Sequence, residues 1–295
     1  MISPDDYRYL FDLLGRHSGL HLGEGKDYLL ESRLTPIAEQ FGLDDVAALV
    51  RQLRTGKDAV LVEASVEAMT TQETLFFRDG SPYKSLKDHV LPALVPARRA
   101  ARQKLRIWSA ACSTGQEPYS IAMLLSTLTP PVLPTEVEIF ATDYSGKALA
   151  RARAGLYSQF EVQRGLPANL LVRFFTQTPK GFEIAESVRK YVTFQEHNLL
   201  HSGALLGAFD IIFCRNVLIY FDQPVKRGVF DRLADSLRPG GFLFLGAAET
   251  PYGVTDRLMR ATGPCDCPGV YVHSQSGARP HDGPRLGAAV QSAAV

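Results

Sequence analysis

The chain has 295 residues, of which 45% are hydrophobic and 21% charged, so it can bury a large core without disulfides or structural metals. Its 32 basic and 31 acidic residues give a net charge of +1, which excludes a general electrostatic attraction to nucleic acid or anionic membrane. The start of the chain has no signal-peptide pattern, and no apolar run approaches the roughly 20 residues of a membrane span. We therefore expect a cytoplasmic, monomeric protein that neither binds nucleic acid nor inserts into a membrane.

Residues 1–70 predict a small all-helical domain. Ser3 and Pro4, followed by two aspartates, are typical of a helix start, and the apolar residues that follow fall on one helix face. Further helices are predicted at about 26–41, 44–56 and 58–69. Residues 71–103 then form a predicted linker and lid, with prolines throughout and a helix between residues 81 and 90.

From residue 104 the pattern changes to an α/β domain. Short apolar strands at 105–110, 137–142, 208–214 and 242–246 alternate with helices at 118–128, 145–154 and 223–237. This alternation predicts a doubly wound, mostly parallel sheet over residues 104–273.

Two segments depart from that alternation. Residues 155–197 predict a small antiparallel β insertion, with strands at 182–184 and 191–194. Residues 274–295 are rich in Gly, Ala, Pro and Ser and predict a disordered tail. Cys265 and Cys267 have no second Cys or His pair at metal spacing nearby, so we expect no metal site.

The turns that follow the strands form the candidate site, because ligands of open parallel sheets bind beyond the carboxyl ends of the strands. The first turn, residues 110–120, is built of small residues that let a ligand approach the backbone. It has neither the glycine fingerprint of dinucleotide loops nor the Gly-Lys-Ser/Thr of a P-loop, which argues against NAD and ATP hydrolysis. A tight turn with no ligand is the alternative.

Polar residues end two other strands. Asp143 ends the second strand, where a carboxylate can accept hydrogen bonds from both hydroxyls of a ribose, although a helix cap explains it equally well. Arg215 and Asn216 end the strand at 208–214 and place polar groups at the same cleft. Strand-tip signals without phosphate-binding glycines fit the nucleoside end of S-adenosyl-L-methionine better than a dinucleotide.

Five sequence blocks resemble those of the CheR-type chemoreceptor glutamate methyltransferases. Residues 70–78, TTQETLFFR, are similar to the family signature T-T-N-x-T-x-F-F-R, and residues 108–120 to its W-S-A-G-C-S-T-G-E-E-P-Y-S loop. Residues 141–143, 198–199 and 213–221 match three further blocks, in the family's order. The resemblance covers residues 3 to 273.

The resemblance implies that S-adenosyl-L-methionine is the cofactor and S-adenosyl-L-homocysteine its product. The implied cofactor contacts are Gln72, Thr74, Arg78, Glu117, Asp143, Asn198, Leu199, Asn216 and Val217. Gln72 stands where the family has Asn, and Gln116 where it has the first Glu of a pair, whereas Glu117 is kept. Both departures affect the geometry of the implied contacts.

The implied reaction is the transfer of a methyl group to glutamate side chains of chemoreceptors. A glutamate, with a reference pKa of about 4.3, is ionised at neutral pH and needs no general base. We expect Asp143 to hold the ribose and Arg78 to pair with the cofactor's carboxylate. Arg215, Asn216 and Tyr220 are expected to border the place where methyl group and acceptor meet.

The implied partners are the cytoplasmic domains of chemoreceptors, whose methylated helices are acidic. A docking face is predicted on the second and third helices from Lys26, Arg33, Arg51 and Arg54, with ordinary solvated charges as the alternative. Some family members also bind a receptor's C-terminal peptide through the inserted subdomain. The short link at residues 178–181 argues against such tethering here.

Two other functions stay open on the sequence. One is a methyltransferase that acts on a small molecule or an RNA. The N-terminal helical domain and the near-neutral charge argue against RNA. The other is a non-catalytic regulator that senses S-adenosyl-L-methionine, because a fold alone does not establish activity.

Overall fold

A computed structural model describes residues 2–22, 25–203, 206–262 and 267–274. The predicted tail beyond residue 274, and Cys265, lie outside these ranges. Within them, no helix is long and apolar enough to cross a membrane. The same residues contain no cluster of His, Cys, Asp and Glu side chains that could hold a metal ion.

The first part of the chain is all-helical, as predicted. Its helices are α1 (Pro4–Ser18), α2 (Asp27–Gln40), α3 (Val46–Arg54) and α4 (Ala59–Met69). Ser3 and Asp6 form a reciprocal capping box at the start of α1. Asp45 and Asp58 cap α3 and α4 by accepting backbone hydrogen bonds. The apolar faces of the four helices meet in one core around Leu30 and Leu49, both fully buried.

Helical structure continues further along the connecting segment than predicted. It comprises α5 (Ser81–Ser85), a π-helical turn (Leu86–Val90) and α6 (Leu91–Ala100). The prediction that the helix ends at residue 90 was wrong, because Pro92 lies in the first turn of α6, where its missing N–H costs little. The π turn precedes it, with the Leu91 N–H donating to the Leu86 carbonyl.

The remaining elements alternate between strands and helices. The strands are β1 (Leu105–Ala110), β2 (Val137–Asp143), β3 (Leu156–Tyr157), β4 (Phe175–Thr178), β5 (Gly181–Ile184), β6 (Val192–Glu196), β7 (Phe209–Cys214), β8 (Leu237–Leu245), β9 (Leu258–Arg260) and β10 (Val270–His273). The helices are α7 (Gln116–Thr127), α8 (Gly146–Ala154), α9 (Gln159–Gln163), α10 (Ala168–Phe174), α11 (Glu186–Arg189) and α12 (Gln223–Ser236).

The described strands form a seven-stranded sheet in the order β6-β2-β1-β7-β8-β10-β9. From β6 to β8 the strands run parallel, and β10 is antiparallel to β8 and to β9. Apolar clusters lie on its two faces, one around Ile107 and Phe213 and the other around Trp108 and Ile212. The sheet is therefore the doubly wound, mostly parallel one that the sequence predicts.

A second, three-stranded antiparallel sheet in the order β3-β5-β4 forms the predicted insertion. The prediction that residues 191–194 belong to it was wrong. They lie in β6, which pairs in parallel with β2 from Ile139↔Val192 to Asp143↔Glu196. Val192 and Phe194 pack against the cluster of Cys112, Ala141 and Leu149 beside β2, which favours pairing with the main sheet.

Strand β8 is interrupted by a bulge. Leu237 pairs with Phe209, and pairing resumes at Phe242 opposite Ile211, so the intervening residues form a bulge in β8. The register of β1 with its neighbours β2 and β7 is regular, and Ala110 lies opposite Thr142 on one side and Cys214 on the other. The carboxyl ends of β1, β2 and β7 therefore meet at one edge.

Candidate functional site

A cavity of about 980 Å³, including its opening to solvent, lies at this edge of the sheet. Ser18 and Leu20 of the helical domain form part of its wall, so it lies where the two parts of the chain meet. All eleven site residues named from the sequence line it: Gln72, Thr74, Arg78, Glu117, Asp143, Asn198, Leu199, Arg215, Asn216, Val217 and Tyr220. The structure brings these residues together; their roles as ligand contacts stay predictions.

Asp143 is 6% exposed, and backbone N–H groups hold its carboxylate. One oxygen accepts from Ser113 N at 2.8 Å and the other from Ser145 N at 2.9 Å. Burial raises the pKa of Asp143, although these two N–H donors and the Gln72 amide act to lower it. Asp143 does not cap α8; the hydroxyl of Ser145 does.

Residues 72–78 form one wall of the cavity and are fixed by contacts with the sheet domain. The amide nitrogen of Gln72 lies 3.4 Å from Asp143, and the Phe77 N–H donates to the Ser120 hydroxyl at 3.0 Å. Phe76 is fully buried, and its ring meets that of Tyr157 edge to face at a centroid distance of 5.0 Å. The segment is therefore anchored on the main sheet and on the small sheet.

Arg215 is the buried cation of a cluster of ion pairs, in which Glu117 is also buried and Asp79 is partly exposed. Its Nη2 donates to Asp79 at 2.6 Å and to the Arg78 carbonyl at 3.0 Å, while Nη1 donates to Glu117 at 3.2 Å. Glu117 also accepts from the Ser109 hydroxyl at 2.8 Å. Burial raises the pKa of Glu117, and the positive charge of Arg215 opposes that rise. Both Nη groups of Arg215 therefore have partners within the protein.

Two hydrogen bonds connect the helical domain to the cavity wall. His21 N donates to the Tyr220 carbonyl at 2.8 Å, and the Asn198 amide donates to the His17 carbonyl at 2.7 Å. Nearby, Glu67 of α4 accepts from the Ser145 hydroxyl at 2.6 Å. The residues after α1 and at the end of α4 thus help to hold the cavity in shape.

Buried polar atoms without a hydrogen-bond partner concentrate at this cavity. Among the described residues they include Gln72 Oε1, Ser113 Oγ, His197 Nε2, Arg215 Nε and Asn216 Oδ1, and each of these residues lines it. Buried polar groups nearly always have a partner in a functional protein. This concentration indicates a polar ligand.

Sequence reasoning missed several residues of the site. Ser113 was included in the first turn without a role, and His197, which packs its ring against Trp108, was not considered. Asp79, the partner of Arg215, directly follows the matched block at 70–78. Ser113 and His197 follow strands β1 and β6, whereas Asp79 lies between α4 and α5, where no strand in the sequence points to it.

The four basic residues predicted to form a docking face are not equivalent. Arg33 donates to the Met69 and Thr70 carbonyls, and Arg54 pairs with Asp5 and Asp6 and lies over the Tyr9 ring. Lys26 and Arg51 are exposed. The cationic groups of Arg33 and Arg54 are thus held by contacts inside the helical domain.

Comparison with known proteins covers both parts of the chain. Residues 5–70 match the family model described as the all-alpha domain of CheR methyltransferase, and residues 72–264 match its SAM-binding domain. The chain is 43% identical over 261 residues to chemotaxis protein methyltransferase 1 of Vibrio cholerae, covering 87% of this chain and 93% of that protein. It is 44% identical over 258 residues to chemotaxis protein methyltransferase 1 of Pseudomonas aeruginosa, covering 86% and 93%.

Proposed function

The chain belongs to the CheR methyltransferase family, and from that premise we propose that it methylates glutamate side chains in the cytoplasmic domains of chemoreceptors. Family membership establishes an S-adenosyl-L-methionine-dependent methyltransferase of chemotaxis. The acceptor, a glutamate carboxylate that becomes a methyl ester, is the proposal. The observation that carries it is the gathering of all eleven predicted site residues around one cavity with unpartnered polar atoms.

The residues around Asp143 fit the ribose of the cofactor. A carboxylate has about four acceptor positions, and the Ser113 and Ser145 N–H groups occupy two of them at normal distances. The third donor, Gln72, is 3.4 Å away, a long hydrogen bond. Once Gln72 moves, Asp143 can therefore accept hydrogen bonds from both ribose hydroxyls. The Oε1 of Gln72, which has no partner among the described residues, is then available to accept a hydrogen bond from the cofactor.

Arg78 is suited to the carboxylate of the cofactor. Its Nη1 donates to the Glu73 carbonyl at 3.0 Å, which fixes the guanidinium at the cavity wall. The remaining N–H groups of the planar guanidinium can form a paired contact with a carboxylate. Arg78 is thus proposed to bind and orient this end of the cofactor.

The chain needs to supply no base for the reaction. S-adenosyl-L-methionine supplies a methyl group that is already activated by its sulfonium. A glutamate acceptor is ionised at neutral pH, so no proton has to be removed from it. What the residues must provide is alignment of the acceptor in a cleft from which water is excluded.

The contacts of Arg215 refine the roles proposed for the acceptor side. Because Asp79 and Glu117 already hold its two Nη groups, we assign Arg215 mainly to organising the cavity wall, with its Nε, unpartnered among the described residues, left for a ligand. Asn216 lines the cavity beside it. Tyr220, whose backbone is held by His21, is the residue we assign to the acceptor carboxylate.

Receptor docking is proposed on the exposed cations Lys26 and Arg51 of the helical domain, because the methylated helices of chemoreceptors are acidic. Arg33 and Arg54 are less suited, because contacts within the domain already use their charge. The β4–β5 turn is short, with Thr178 paired to Gly181, and we maintain that receptor-peptide tethering does not operate here.

The proposal is tested by incubating the protein with methyl-labelled S-adenosyl-L-methionine and receptor cytoplasmic fragments. A glutamate methyl ester releases labelled methanol in base, whereas N-methyl and C-methyl products do not. Base-labile label on the receptor fragment supports the proposal. Base-stable label indicates another class of acceptor, and cofactor binding with no transfer to any acceptor indicates a sensing regulator.

A further inference from the structure

Glu249 lies behind the cavity wall, and four backbone N–H groups converge on its carboxylate. Oε2 accepts from Asn216 N at 2.8 Å and Gly246 N at 2.7 Å. Oε1 accepts from Val217 N at 2.9 Å and Leu218 N at 2.7 Å. Glu249 is 6% exposed and does not line the cavity itself.

The backbone that Glu249 holds is strained. Asn216 has a φ of 60°, in the left-handed region that non-glycine residues seldom adopt. This conformation turns the successive N–H groups of residues 216–218 toward one point, and such a concavity binds anions. Here the anion is a side chain of the protein, which stabilises the strained turn by charge-assisted hydrogen bonds.

Gly246 leaves the space that the carboxylate occupies. A Cβ at this position would lie 2.7 Å from Glu249 Oε2 and 3.0 Å from both Asn216 N and Asn216 Nδ2. Cys214 and Leu245 pair directly across β7 and β8, so the carboxylate connects the tips of two neighbouring strands. The turn after β8 and the turn after β7 are thus built around one buried acid.

We propose that Glu249 is a positioning residue for the cofactor site: it fixes the backbone of residues 216–218 so that Asn216 and Val217 face the cavity. Without both carboxylate oxygens, the turn relaxes from its left-handed conformation and the cavity wall moves. This inference rests on the proposed cofactor role of Asn216 and Val217. It assigns to Glu249 no contact with cofactor or acceptor.

The decisive variant is Glu249→Gln, which keeps the shape of the side chain but directs an NH₂ group at two of the four N–H donors. We expect the Kd for S-adenosyl-L-homocysteine, measured by calorimetry, and the KM for S-adenosyl-L-methionine to rise by about tenfold or more, as a small misplacement of a site commonly causes. Hydrogen exchange of residues 216–218 should accelerate in the same variant.

Asp210→Asn is the matched control. Asp210 is 1% exposed, accepts from Arg106 N at 2.8 Å and pairs with Arg98 and Arg238, but it lies at the opposite, amino end of β7. The control should lower the unfolding temperature without changing the Kd or the exchange of residues 216–218. An equal loss of affinity in both variants would show a general stability effect and overturn the proposal.

A second test covers the case in which Glu249→Gln does not fold. Gly246→Ala keeps the carboxylate but displaces it, and it should raise the Kd and accelerate exchange in the same segment. The double variant Glu249→Gln/Asn216→Ala should bind no more weakly than the weaker of the two single variants, because both act through one turn. The inference would be overturned if the increases in Kd of the two single variants multiplied in the double variant. It would also be overturned if the variants that fold kept the wild-type affinity.

The two proposals fail in different ways. Wild-type protein that binds S-adenosyl-L-homocysteine but forms no methyl ester on receptor fragments contradicts the proposed acceptor and leaves Glu249 untouched. Wild-type affinity in a folded Glu249→Gln variant contradicts the role proposed for Glu249 but does not affect the proposal that glutamate is the acceptor.

Discussion

The amide nitrogen of Gln72 lies 3.4 Å from a carboxylate oxygen of Asp143, although 71 positions separate the two residues in the sequence. This contact joins the segment between the two domains to the tip of the second strand. Residues 72–78 and the sheet edge therefore share a carboxylate, and a substitution at Asp143 should disturb both sides of the cavity.

Replacing Asp143 by Ala should abolish measurable binding of S-adenosyl-L-homocysteine in calorimetry. The variant loses the acceptor proposed for the ribose and the partner of the Ser113 and Ser145 N–H groups. Asp45→Ala is a suitable control, because Asp45 also accepts a backbone hydrogen bond but caps α3 in the helical domain. Wild-type affinity in Asp143→Ala would remove Asp143 from the cofactor site.

As the pH is lowered, the affinity for the cofactor should begin to fall at a higher pH than it would if Asp143 had the pKa of an ordinary aspartate. Burial raises the pKa of Asp143 above its usual value of 3.8, so the carboxylate takes up a proton earlier as the pH drops. A protonated carboxyl group is a poorer acceptor for ribose hydroxyls. Calorimetric titrations over a descending pH series measure this, with unfolding temperatures recorded at each pH. Affinity that stays constant until the protein unfolds would contradict it.

Gly165→Ala should displace the cavity wall formed by residues 72–78. Gly165 has a φ of 81°, and a Cβ there would overlap the Phe76 carbonyl oxygen, so residues 72–78 must shift. We expect a loss of about 2–5 kcal/mol in the free energy of unfolding, because the left-handed backbone and the overlap add, and a weaker affinity for S-adenosyl-L-homocysteine. Gly42→Ala is the control, because Gly42 has a φ of 69° but nothing within 4 Å of its Cβ position. It should cost about 1–2 kcal/mol and leave affinity unchanged.

Glu67→Gln should loosen the contact between the two domains. Glu67 accepts from the Ser145 hydroxyl at 2.6 Å and from Lys147 N at 3.0 Å. Burial alone would raise the pKa of Glu67, but these bonds and the Lys147 charge lower it below its usual 4.5. We expect a loss of about 1–3 kcal/mol at neutral pH in denaturant unfolding.

The pH dependence of the same variant has a definite sign. A carboxylate whose pKa is lowered by folding stabilises the protein above its unfolded pKa, and that contribution is lost as the pH falls through the folded pKa. The stability difference between wild type and Glu67→Gln should therefore be constant near neutrality and shrink in acid. A difference that grows on acidification would contradict this assignment of Glu67.

The strand-tip residues were predictable from the sequence because a parallel sheet collects the ends of its strands at one edge. Asp143 and Asn216 follow apolar strands directly, and this position alone indicated a cleft. Gln72 and Arg78 carry no such signal, and only the resemblance to a family placed them at the same cavity.

Other features depended on contacts that a single sequence does not reveal. In the sequence, Glu249 looks like an ordinary acidic residue in a turn. Only the fold shows that four backbone N–H groups donate to it. The partner of β6 was mispredicted because an edge strand and an antiparallel hairpin strand have the same alternation. The end of the helix before Pro92 was mispredicted because proline fits the first turn of a helix as well as the residues after one.

We propose that this cavity directs methyl transfer to glutamate side chains. Fragmentation mass spectrometry of receptor cytoplasmic fragments, after incubation with S-adenosyl-L-methionine and either wild-type protein or Asp143→Ala, tests it most directly. We expect base-labile methyl groups on glutamate residues with the wild type and none with the variant. Methyl groups on another residue type, or equal methylation by Asp143→Ala, would contradict it.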